Sequence, residues 1–246
     1  MSSNVGTNNY ISTRWGSAVI CAITLDVLII SLGVLSAKAA QVTTAPGFGP
    51  YNMGGGEYTL IPDTNVAAWL GGYSPLALNF VQSGTFQTFW AESSESITPN
   101  ATYDVTLNNV SVFSGVSLTV GAAYLYQQFA TGQLNYNYAN IPAGSRTIAG
   151  FNNAYYLSHA ISYYMGGYIA EPVNPYETLV NGMFGDGASA PDNGAHGVAI
   201  LNLWAPGQPH DPAHAYQDVL ILLPEPSVFA LASLGAAALV ALRRRK

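Results

Sequence analysis

Three groups of side chains have residue types and spacings that could support chemistry. The first is the run His210-Asp211-Pro212-Ala213-His214, in which two histidines stand at positions i and i+4. Histidines with this spacing can share a helix face and bind a metal ion. Pro212 within the run, with Pro206 and Pro209 before it, favours a turn over a helix. We therefore expect a solvated chain reversal here and no metal site.

The second group lies in a glycine-rich loop. Asp186, Asp192 and Asn193 could present oxygen atoms to calcium, which prefers oxygen ligands. The loop lacks the EF-hand pattern, and aspartate and asparagine are also frequent in ordinary turns. The sequence leaves calcium binding between Asp186 and Asn193 open.

The third group is acidic. Glu92 and Glu95, with Asp104 nearby, are candidates for the two carboxylates of a glycosidase, which must face each other roughly 5–9.5 Å apart in a cleft. In an extended segment, side chains three positions apart tend toward opposite faces, which favours a solvated sheet edge for this group. The chain also lacks a Gly-x-Ser-x-Gly elbow, a phosphate-binding loop and a His-Glu-x-x-His pair. We predict a protein that is not an enzyme, with no catalytic residues, no cofactor and no metal.

Tyrosine is abundant, with 16 copies in the chain. An aromatic ring can stack on the apolar face of a sugar while its hydroxyl bonds sugar oxygens. The alternative is that most of these rings are half-buried packing residues at helical spacing. The candidates are Tyr124, Tyr126, Tyr136, Tyr138, Tyr155, Tyr156, Tyr163, Tyr164 and Tyr168.

Charge is sparse and unevenly distributed. Only 8% of the residues are charged, and six of the seven basic residues lie in the first 38 or the last four positions. Between Ala40 and Leu223 the one basic residue, Arg146, stands against eleven carboxylates, one of which we expect it to pair with. So acidic a body repels phosphate backbones, which excludes nucleic acid as a partner.

The N-terminus has the pattern of an export signal. Residues 15–37 are apolar, follow Arg14 and lead into Ala37-Lys38-Ala39, the small-x-small pattern of a signal-peptidase site. Asp26 inside the run would cost about 2.5–3.5 kcal/mol in a stable membrane span, which favours a transient signal. We predict a signal peptide over residues 1–39, cut by signal peptidase, with an uncleaved anchor as the alternative.

The C-terminus has three consecutive parts. Pro224-Glu225-Pro226 comes first, an apolar stretch from Val228 to Leu242 follows, and Arg243-Arg244-Arg245-Lys246 ends the chain. Proline on both sides of Glu225 keeps the tripeptide extended and accessible to a processing enzyme. The apolar stretch spans about 22 Å as a helix, short of the roughly 30 Å hydrocarbon core of a bilayer. The basic residues would hold its end on the cytoplasmic side.

This arrangement over residues 224–246 closely resembles the PEP-CTERM sorting signal of Gram-negative bacteria. The resemblance implies cleavage near Pro224-Glu225-Pro226 by an exosortase, a membrane-embedded cysteine protease, in an organism that makes extracellular polysaccharide. It also implies membrane association through the C-terminal helix before processing. The alternative is a plain tail anchor.

The segment between the two ends predicts an α+β domain, mostly β, over residues 57–223, preceded by a linker over residues 40–56. Two helices inserted into an antiparallel, sandwich-like sheet are expected, beside an N-terminal signal helix and a C-terminal hydrophobic helix. The helices are predicted at Val120–Phe129 and Asn152–Gly166 from their helical periodicity. Strands are predicted at Glu57–Ile61, Leu76–Gln82, Thr85–Glu92, Tyr103–Leu107, Val110–Val116, Val198–Trp204 and Ala215–Leu223, with a hairpin turn at Ser83-Gly84.

Three runs of this body resemble PEP-CTERM proteins related to bacterial surface thioester domains. They are TFQTFWAESSESITPNATYDVTL, AAYLYQQFATGQLNYNY and NNAYYLSHAISYYMGG. In true thioester domains, a cysteine and a glutamine from such segments form an internal crosslink that can capture an amine. Here the cysteine position is Trp90 and the glutamine position is Ser158, so this chain cannot form the bond.

The sequence therefore predicts an exported cell-surface or extracellular-matrix protein with a structural or interaction role. Its expected processing partners are signal peptidase and exosortase. The alternative is a surface carbohydrate-binding module or adhesin derived from a thioester domain, with exopolysaccharide as a candidate partner.

Overall fold

The structure, a computed structural model, describes residues 39–45, 57–78, 84–92, 96–138, 147–148 and 151–224. The described residues belong to the compact unit that begins at Ala39. Several predictions concern positions outside them, namely Ala37 and the rest of the N-terminal segment, Glu95, Arg146, and the C-terminal segment from Glu225 and Pro226 to Arg243, Arg244, Arg245 and Lys246. Within the described part, no helix is both long and apolar enough to cross a membrane.

The described part contains eight strands, and six of them form one antiparallel sheet. They are β1 (Gln41–Thr44), β2 (Glu57–Pro62), β3 (Phe86–Phe89), β4 (Thr102–Asn108), β5 (Thr147–Ile148), β6 (Phe151–Asn152), β7 (Val198–Trp204) and β8 (Ala215–Leu222). Among the described strands, six pair in the order β3-β2-β1-β4-β7-β8, and β5 pairs with β6. All of these pairings are antiparallel. The predicted α+β class with an antiparallel sheet is confirmed.

The sheet curls until its two outer strands meet. Thr88 on β3 donates its hydroxyl to the Leu220 carbonyl on β8 at 2.6 Å and accepts from the Leu220 amide at 3.0 Å. Just beyond β3, the Ala91 amide donates to the Asp218 carbonyl at 2.8 Å. These bonds occupy polar groups of two edge strands, which would otherwise be open to pairing with another chain.

Three of the described helices begin after a residue whose side chain caps them. The described helices are α1 (Thr64–Ala67), α2 (Pro75–Leu78), α3 (Val120–Ala130), α4 (Asn153–Tyr164) and α5 (Pro175–Phe184). Asn174 caps α5 by accepting from two backbone amides of its first turn, and Pro175 follows at a position where proline suits a helix start. A Cβ at Gly121 would lie 2.7 Å from the Tyr164 ring, so this glycine lets α3 and α4 pack closely.

Some predicted elements are confirmed and others are wrong. Helices α3 and α4 confirm the two predicted helices, but a third long helix, α5, was not predicted. The strand predicted from Leu76 is wrong, because Pro75–Leu78 is helical; residues 79–82 and Ser83 lie outside the described part. The strand predicted at Val110–Val116 is also wrong, since residues 112–114 form a turn closed by a bridge between Val110 and Ser117.

The predicted linker over residues 40–56 is wrong in its first part. Gln41–Thr44 forms β1, which is paired on both sides, with β2 and with β4. Val42 and Thr44 are buried within it. A lead-in segment would have no such burial, so the folded body begins earlier than the sequence indicated. Residues 46–56 lie outside the described part.

The core contains a chain of hydrogen bonds through two buried tyrosines. The Leu222 amide donates to the Tyr73 hydroxyl at 2.9 Å, Tyr73 lies 2.9 Å from the Tyr126 hydroxyl, and Tyr126 donates to the Gln87 carbonyl at 2.8 Å. We call this the tyrosine chain. Burial raises the pKa of both hydroxyls well above the ordinary value, so both stay neutral. Phe129 packs beside it, with its ring centroid 6.2 Å from that of Tyr126.

Candidate functional site

Trp90 and Ser158, the two positions that the thioester resemblance singled out, lie in segments that the fold brings together. Trp90 follows β3, and its ring centroid is 6.1 Å from that of Tyr168. Tyr168 in turn stacks on His159, the neighbour of Ser158 on α4, at 4.5 Å and an angle of 16°. Ser158 is buried and donates its hydroxyl to the Tyr155 carbonyl at 3.0 Å. Aromatic rings therefore fill the region between the two segments.

We call Trp90, Tyr155, His159 and Tyr168, together with Glu171, the aromatic cluster. His159 lies between the two tyrosine rings, 3.9 Å from Tyr155 and 4.5 Å from Tyr168. Glu171 accepts from the Tyr155 hydroxyl at 3.1 Å and lies 2.8 Å from His159 Nδ1. Tyr155, Tyr168 and Glu171 are half-buried, so ring surface and a carboxylate reach solvent together. This combination suits polar ligands that also have apolar faces, such as sugars.

The other tyrosines predicted as candidates divide by burial. Tyr126, Tyr136 and Tyr164 are core residues, and Tyr136, 6% exposed, donates its hydroxyl to Glu57 Oε2 at 2.6 Å. The packing interpretation is confirmed for these three. The half-buried candidates are Tyr124, Tyr138, Tyr155, Tyr156, Tyr163 and Tyr168. A sugar-binding face is therefore better sought on α4 than at Tyr136.

The predicted solvated edge is wrong for Glu92 and Asp104, the two described members of the acidic group. Glu92 is 3% exposed and Asp104 is 2% exposed. Asp104 accepts from Gln41 Nε2 at 2.8 Å on one carboxylate oxygen and from the Gly207 amide at 2.7 Å on the other. With both oxygens occupied by neutral donors, Asp104 has the role of a structural hydrogen-bond acceptor.

Glu92 has an acidic neighbour that the sequence did not single out, Asp218 on β8. The Ser111 hydroxyl donates to Glu92 Oε2, and the Val112 amide donates to Asp218 Oδ2 at 2.7 Å. Burial raises the pKa of Asp218 to about 7; the charge of Glu92 adds to this, and the Asn202 side chain opposes it. We call Glu92, Ser111, Asn202 and Asp218 the carboxylate cluster.

A sequence signal for this cluster exists in β8. The strand reads AYQDVLIL, and Asp218 is an acidic residue directly before four apolar ones. Such a residue in a strand with little exposed surface must find partners inside the protein. Ser111 and Glu92, however, come from distant segments, and only the closing of the sheet shows that they meet Asp218.

A second acidic pairing lies beside a cleft. His196 Nδ1 pairs with Asp192 Oδ1, and the cleft of about 700 Å³ is lined by His196, Gln127, Thr131 and Pro224 among others. An aspartate can orient a histidine as a general base. Thr131, the hydroxyl residue that lines the cleft in the described part, donates to the Gln127 carbonyl at 2.8 Å. The dyad therefore lacks an activated nucleophile among the described lining residues.

The first sequence pattern that could bind a metal ion is the glycine-rich loop with Asp186, Asp192 and Asn193. Asp192 is buried against His196, whereas Asp186 is exposed in a 3-10 turn, Gly185–Ser189, and Asn193 donates to the Pro191 carbonyl at 3.3 Å. This arrangement does not favour a calcium site in the loop. Within the described ranges, no group of three or more His, Cys, Asp or Glu side chains is placed to hold a metal ion.

The predicted turn at His210–His214 is confirmed. Pro212–His214 is a 3-10 turn in which His214 Nδ1 lies 2.8 Å from Asp211 Oδ2. The hydrogen bond with His214 lowers the pKa of Asp211 below its ordinary value. His210 instead lies near Trp204, with ring centroids 5.8 Å apart. The two histidines thus have separate partners.

Both predicted processing regions border the described fold. Ala39 is exposed and lies two residues before Gln41, where β1 begins. At the other end, the Leu223 amide donates to the Gly197 carbonyl at 2.8 Å, and a Cβ at Gly71 would lie 2.2 Å from the Leu223 carbonyl oxygen. The chain is thus held closely up to Leu223, next to Pro224. Comparisons with protein families, curated proteins and solved structures find no match to this chain.

Proposed function

We propose that this chain is an exported, non-catalytic protein of the bacterial cell surface or extracellular matrix, sorted by an exosortase. The observation that carries the proposal is the order of the C-terminal parts. Pro224-Glu225-Pro226, whose two prolines oppose helix formation, is followed by an apolar stretch too short for a comfortable span and then by four basic residues.

The positions of the strands are compatible with cleavage at both ends. β1 begins at Gln41 and β8 ends at Leu222. A cut after Ala39 and a second cut near Glu225 therefore leave every described strand whole. Processing would release a folded body rather than destroy one.

The non-catalytic part of the proposal rests on the chemistry of the candidate sites. A thioester needs a thiol and a carboxamide, and Trp90 and Ser158 supply neither. The dyad of Asp192 and His196 lies beside a cleft whose described hydroxyl, on Thr131, is already donating to a carbonyl. An interaction role fits these side chains better than a reaction does.

The sorting step can be tested in a host that has an exosortase. We expect the mass of the mature protein to show cleavage near Glu225, and Glu225→Ala to retain the C-terminal segment. Ser227→Ala is the matched control, because it changes a small residue just outside the tripeptide, and its product should be processed like the wild type. Wild-type protein intact to Lys246 in that host, or identical products from all three chains, would contradict the proposal.

A second candidate function is a surface carbohydrate-binding module or adhesin, favoured by the aromatic cluster. Tyr155 and Tyr168 present half-buried rings beside the carboxylate of Glu171. Ring faces can bind the apolar faces of sugars, and the carboxylate can accept from their hydroxyls. Exopolysaccharide is the ligand class that this chemistry suits.

Binding to an array of acidic and neutral glycans tests this candidate. Tyr168→Ala should abolish binding that the wild type shows, because it removes the ring that stacks on His159. Tyr216→Ala is the control, since it removes another half-buried tyrosine that packs on Tyr103 in the sheet. Equal binding by both variants would place the ligand elsewhere, and no binding by the wild type would remove the candidate.

A further inference from the structure

The carboxylate cluster contains more oxygen acceptors than donors. Glu92 is 3% exposed, Ser111 and Asn202 are each 1% exposed, and Asp218 is fully buried. Ser111 donates its one proton to Glu92 Oε2, and the Val112 amide serves Asp218 Oδ2. One oxygen on each of Glu92, Asn202 and Asp218 has no hydrogen-bond partner among the described residues.

Asn202 is not an acid, yet it too has a buried oxygen atom without a hydrogen-bond partner among the described residues. Its Nδ2 donates to the Val110 carbonyl at 3.2 Å, which leaves Oδ1 as the unpartnered atom. Its side chain and that of Ser111 also lie near Asp218. The carboxamide, the hydroxyl and both carboxylates are therefore neighbours.

The described part of the chain has no fixed cation for this cluster. It contains no lysine or arginine at all. Three of its histidines pair with other carboxylates, namely those of Glu171, Asp192 and Asp211. Two ionised carboxylates in a buried site need a compensating charge, because an unpaired buried charge is strongly unfavourable.

We propose that the carboxylate cluster is a calcium-binding site, with ligands from Glu92, Asp218 and the Asn202 carboxamide. A divalent cation matches the two negative charges and fills the coordination of the three unpartnered oxygens. The donor set is entirely oxygen, which selects calcium or magnesium over softer metals. Calcium is favoured because it accepts irregular mixtures of carboxylate, carbonyl and water oxygens, whereas magnesium demands a near-octahedral shell.

The site connects parts of the fold that are distant in sequence. Glu92 follows β3, Ser111 precedes the turn at residues 112–114, and Asn202 and Asp218 lie on β7 and β8. Bound calcium would tie the outer strand β3 to β8 where the sheet closes. An affinity in the range of extracellular calcium modules, a dissociation constant of about 10⁻⁴–10⁻³ M, is expected for so few charged ligands.

The test is thermal unfolding of the 246-residue chain at neutral pH, in EDTA and in millimolar calcium, with calorimetric titration of calcium. We expect calcium to raise Tm of the wild type by roughly 3–10 °C. Asp218→Asn should weaken calcium binding at least about tenfold. The matched control is Asp104→Asn, which changes a buried aspartate whose oxygens already have neutral donors, and it should keep the calcium response.

Asn202→Asp tests the site from the opposite direction. A third carboxylate should lower stability in EDTA and tighten calcium binding, so that calcium rescues the variant more than it stabilises the wild type. This result cannot come from simple loss of folding. The proposal is overturned if calcium leaves the wild type unchanged, which would mean that a shared proton alone neutralises the cluster. It is equally overturned if Asp218→Asn and Asn202→Asp bind calcium as the wild type does, which would place the ion elsewhere.

Discussion

The tyrosine chain and the carboxylate cluster are two buried polar groups on the same curled sheet, yet they differ in how their hydrogen bonds are completed. In the tyrosine chain each hydroxyl has both a donor and an acceptor, from the Leu222 amide through Tyr73 and Tyr126 to the Gln87 carbonyl. In the carboxylate cluster Glu92 and Asp218 each keep an oxygen without a described partner. Burial costs little when every polar atom is paired. The first group is complete in itself, whereas the second requires a proton or an ion.

The largest effect is expected in the packing that surrounds the tyrosine chain. Phe129 is fully buried against the rings of Phe89 and Tyr136, with centroids 4.9 and 5.0 Å away. Phe129→Ala should lower the free energy of unfolding by about 3–5 kcal/mol, because it leaves a cavity. Denaturant unfolding followed by near-ultraviolet circular dichroism measures this. Leu179→Ala, at an exposed position, should change it by less than about 0.5 kcal/mol.

The carboxylate cluster should make stability depend on pH when calcium is removed. The pKa of Asp218 is about 7 in the folded protein against 3.8 ordinarily, so the unfolded chain loses this proton first. The contribution of Asp218 to stability is then fully present below pH 3.8 and is lost as pH rises toward about 7. The loss is at most about 4 kcal/mol, since one pKa unit corresponds to about 1.4 kcal/mol.

Tm measured against pH in EDTA checks this prediction, with Asp218→Asn as the comparison. The variant should lack most of the fall, although a smaller slope of the same sign remains because burial also raises the pKa of Glu177. Parallel curves for the two proteins would mean that Asp218 has no raised pKa. The carboxylate cluster would then resemble the tyrosine chain more closely than its unpartnered oxygens indicate.

A smaller effect is expected within the tyrosine chain itself. Tyr126→Phe removes the hydroxyl that donates to the Gln87 carbonyl and takes the acceptor away from the Tyr73 hydroxyl, which still accepts from the Leu222 amide. The free energy of unfolding should fall by about 1–3 kcal/mol, the cost of unsatisfied buried groups. Tyr216→Phe, at a half-buried ring, is the matched control and should be nearly neutral. Equal losses for the two variants would show that the hydrogen bonds of the tyrosine chain do not contribute to stability.

The smallest effect is expected at the exposed turn before β8. His214 and Asp211 form a pair in which both side chains are about half exposed, 47% and 48%. His214→Ala should leave Tm unchanged within error, because exposed ion pairs contribute little. A clear loss of Tm would mean that the turn helps to hold β8 in register.

Periodic and apolar segments were predictable from the sequence, and the closure of the sheet was not. Helices α3 and α4 follow from apolar residues at helical spacing, and β7 and β8 from long apolar runs. By contrast, β1 is four residues long and is held by neighbours on both sides, so its sequence alone carries little strand signal. The segment from Leu76 looked extended, but Pro75 begins a short helix there, as proline does at a first helical position.

The candidate sites were predictable only in part for the same reason. The positions Trp90 and Ser158 follow from sequence resemblance, but their separation by Tyr168 and His159 depends on how α4 packs beyond β3. The burial of Glu92 was missed because local spacing describes one strand, whereas its partner Asp218 comes from the opposite edge of the sheet. Pairings between distant segments are set by tertiary structure, which a single sequence does not display.

The position of β8 gives the order in which the chain can complete its fold. If the polypeptide crosses a membrane starting from its N-terminus, β1 to β4 emerge early and wait for a strand that arrives last. Until Leu222 is through, Thr88 lacks Leu220 and Tyr73 lacks the amide that it accepts from. The final closing step therefore coincides with the arrival of Pro224, two residues later. Completion of the fold and exposure of the proposed cleavage tripeptide would then follow each other within a few residues of chain.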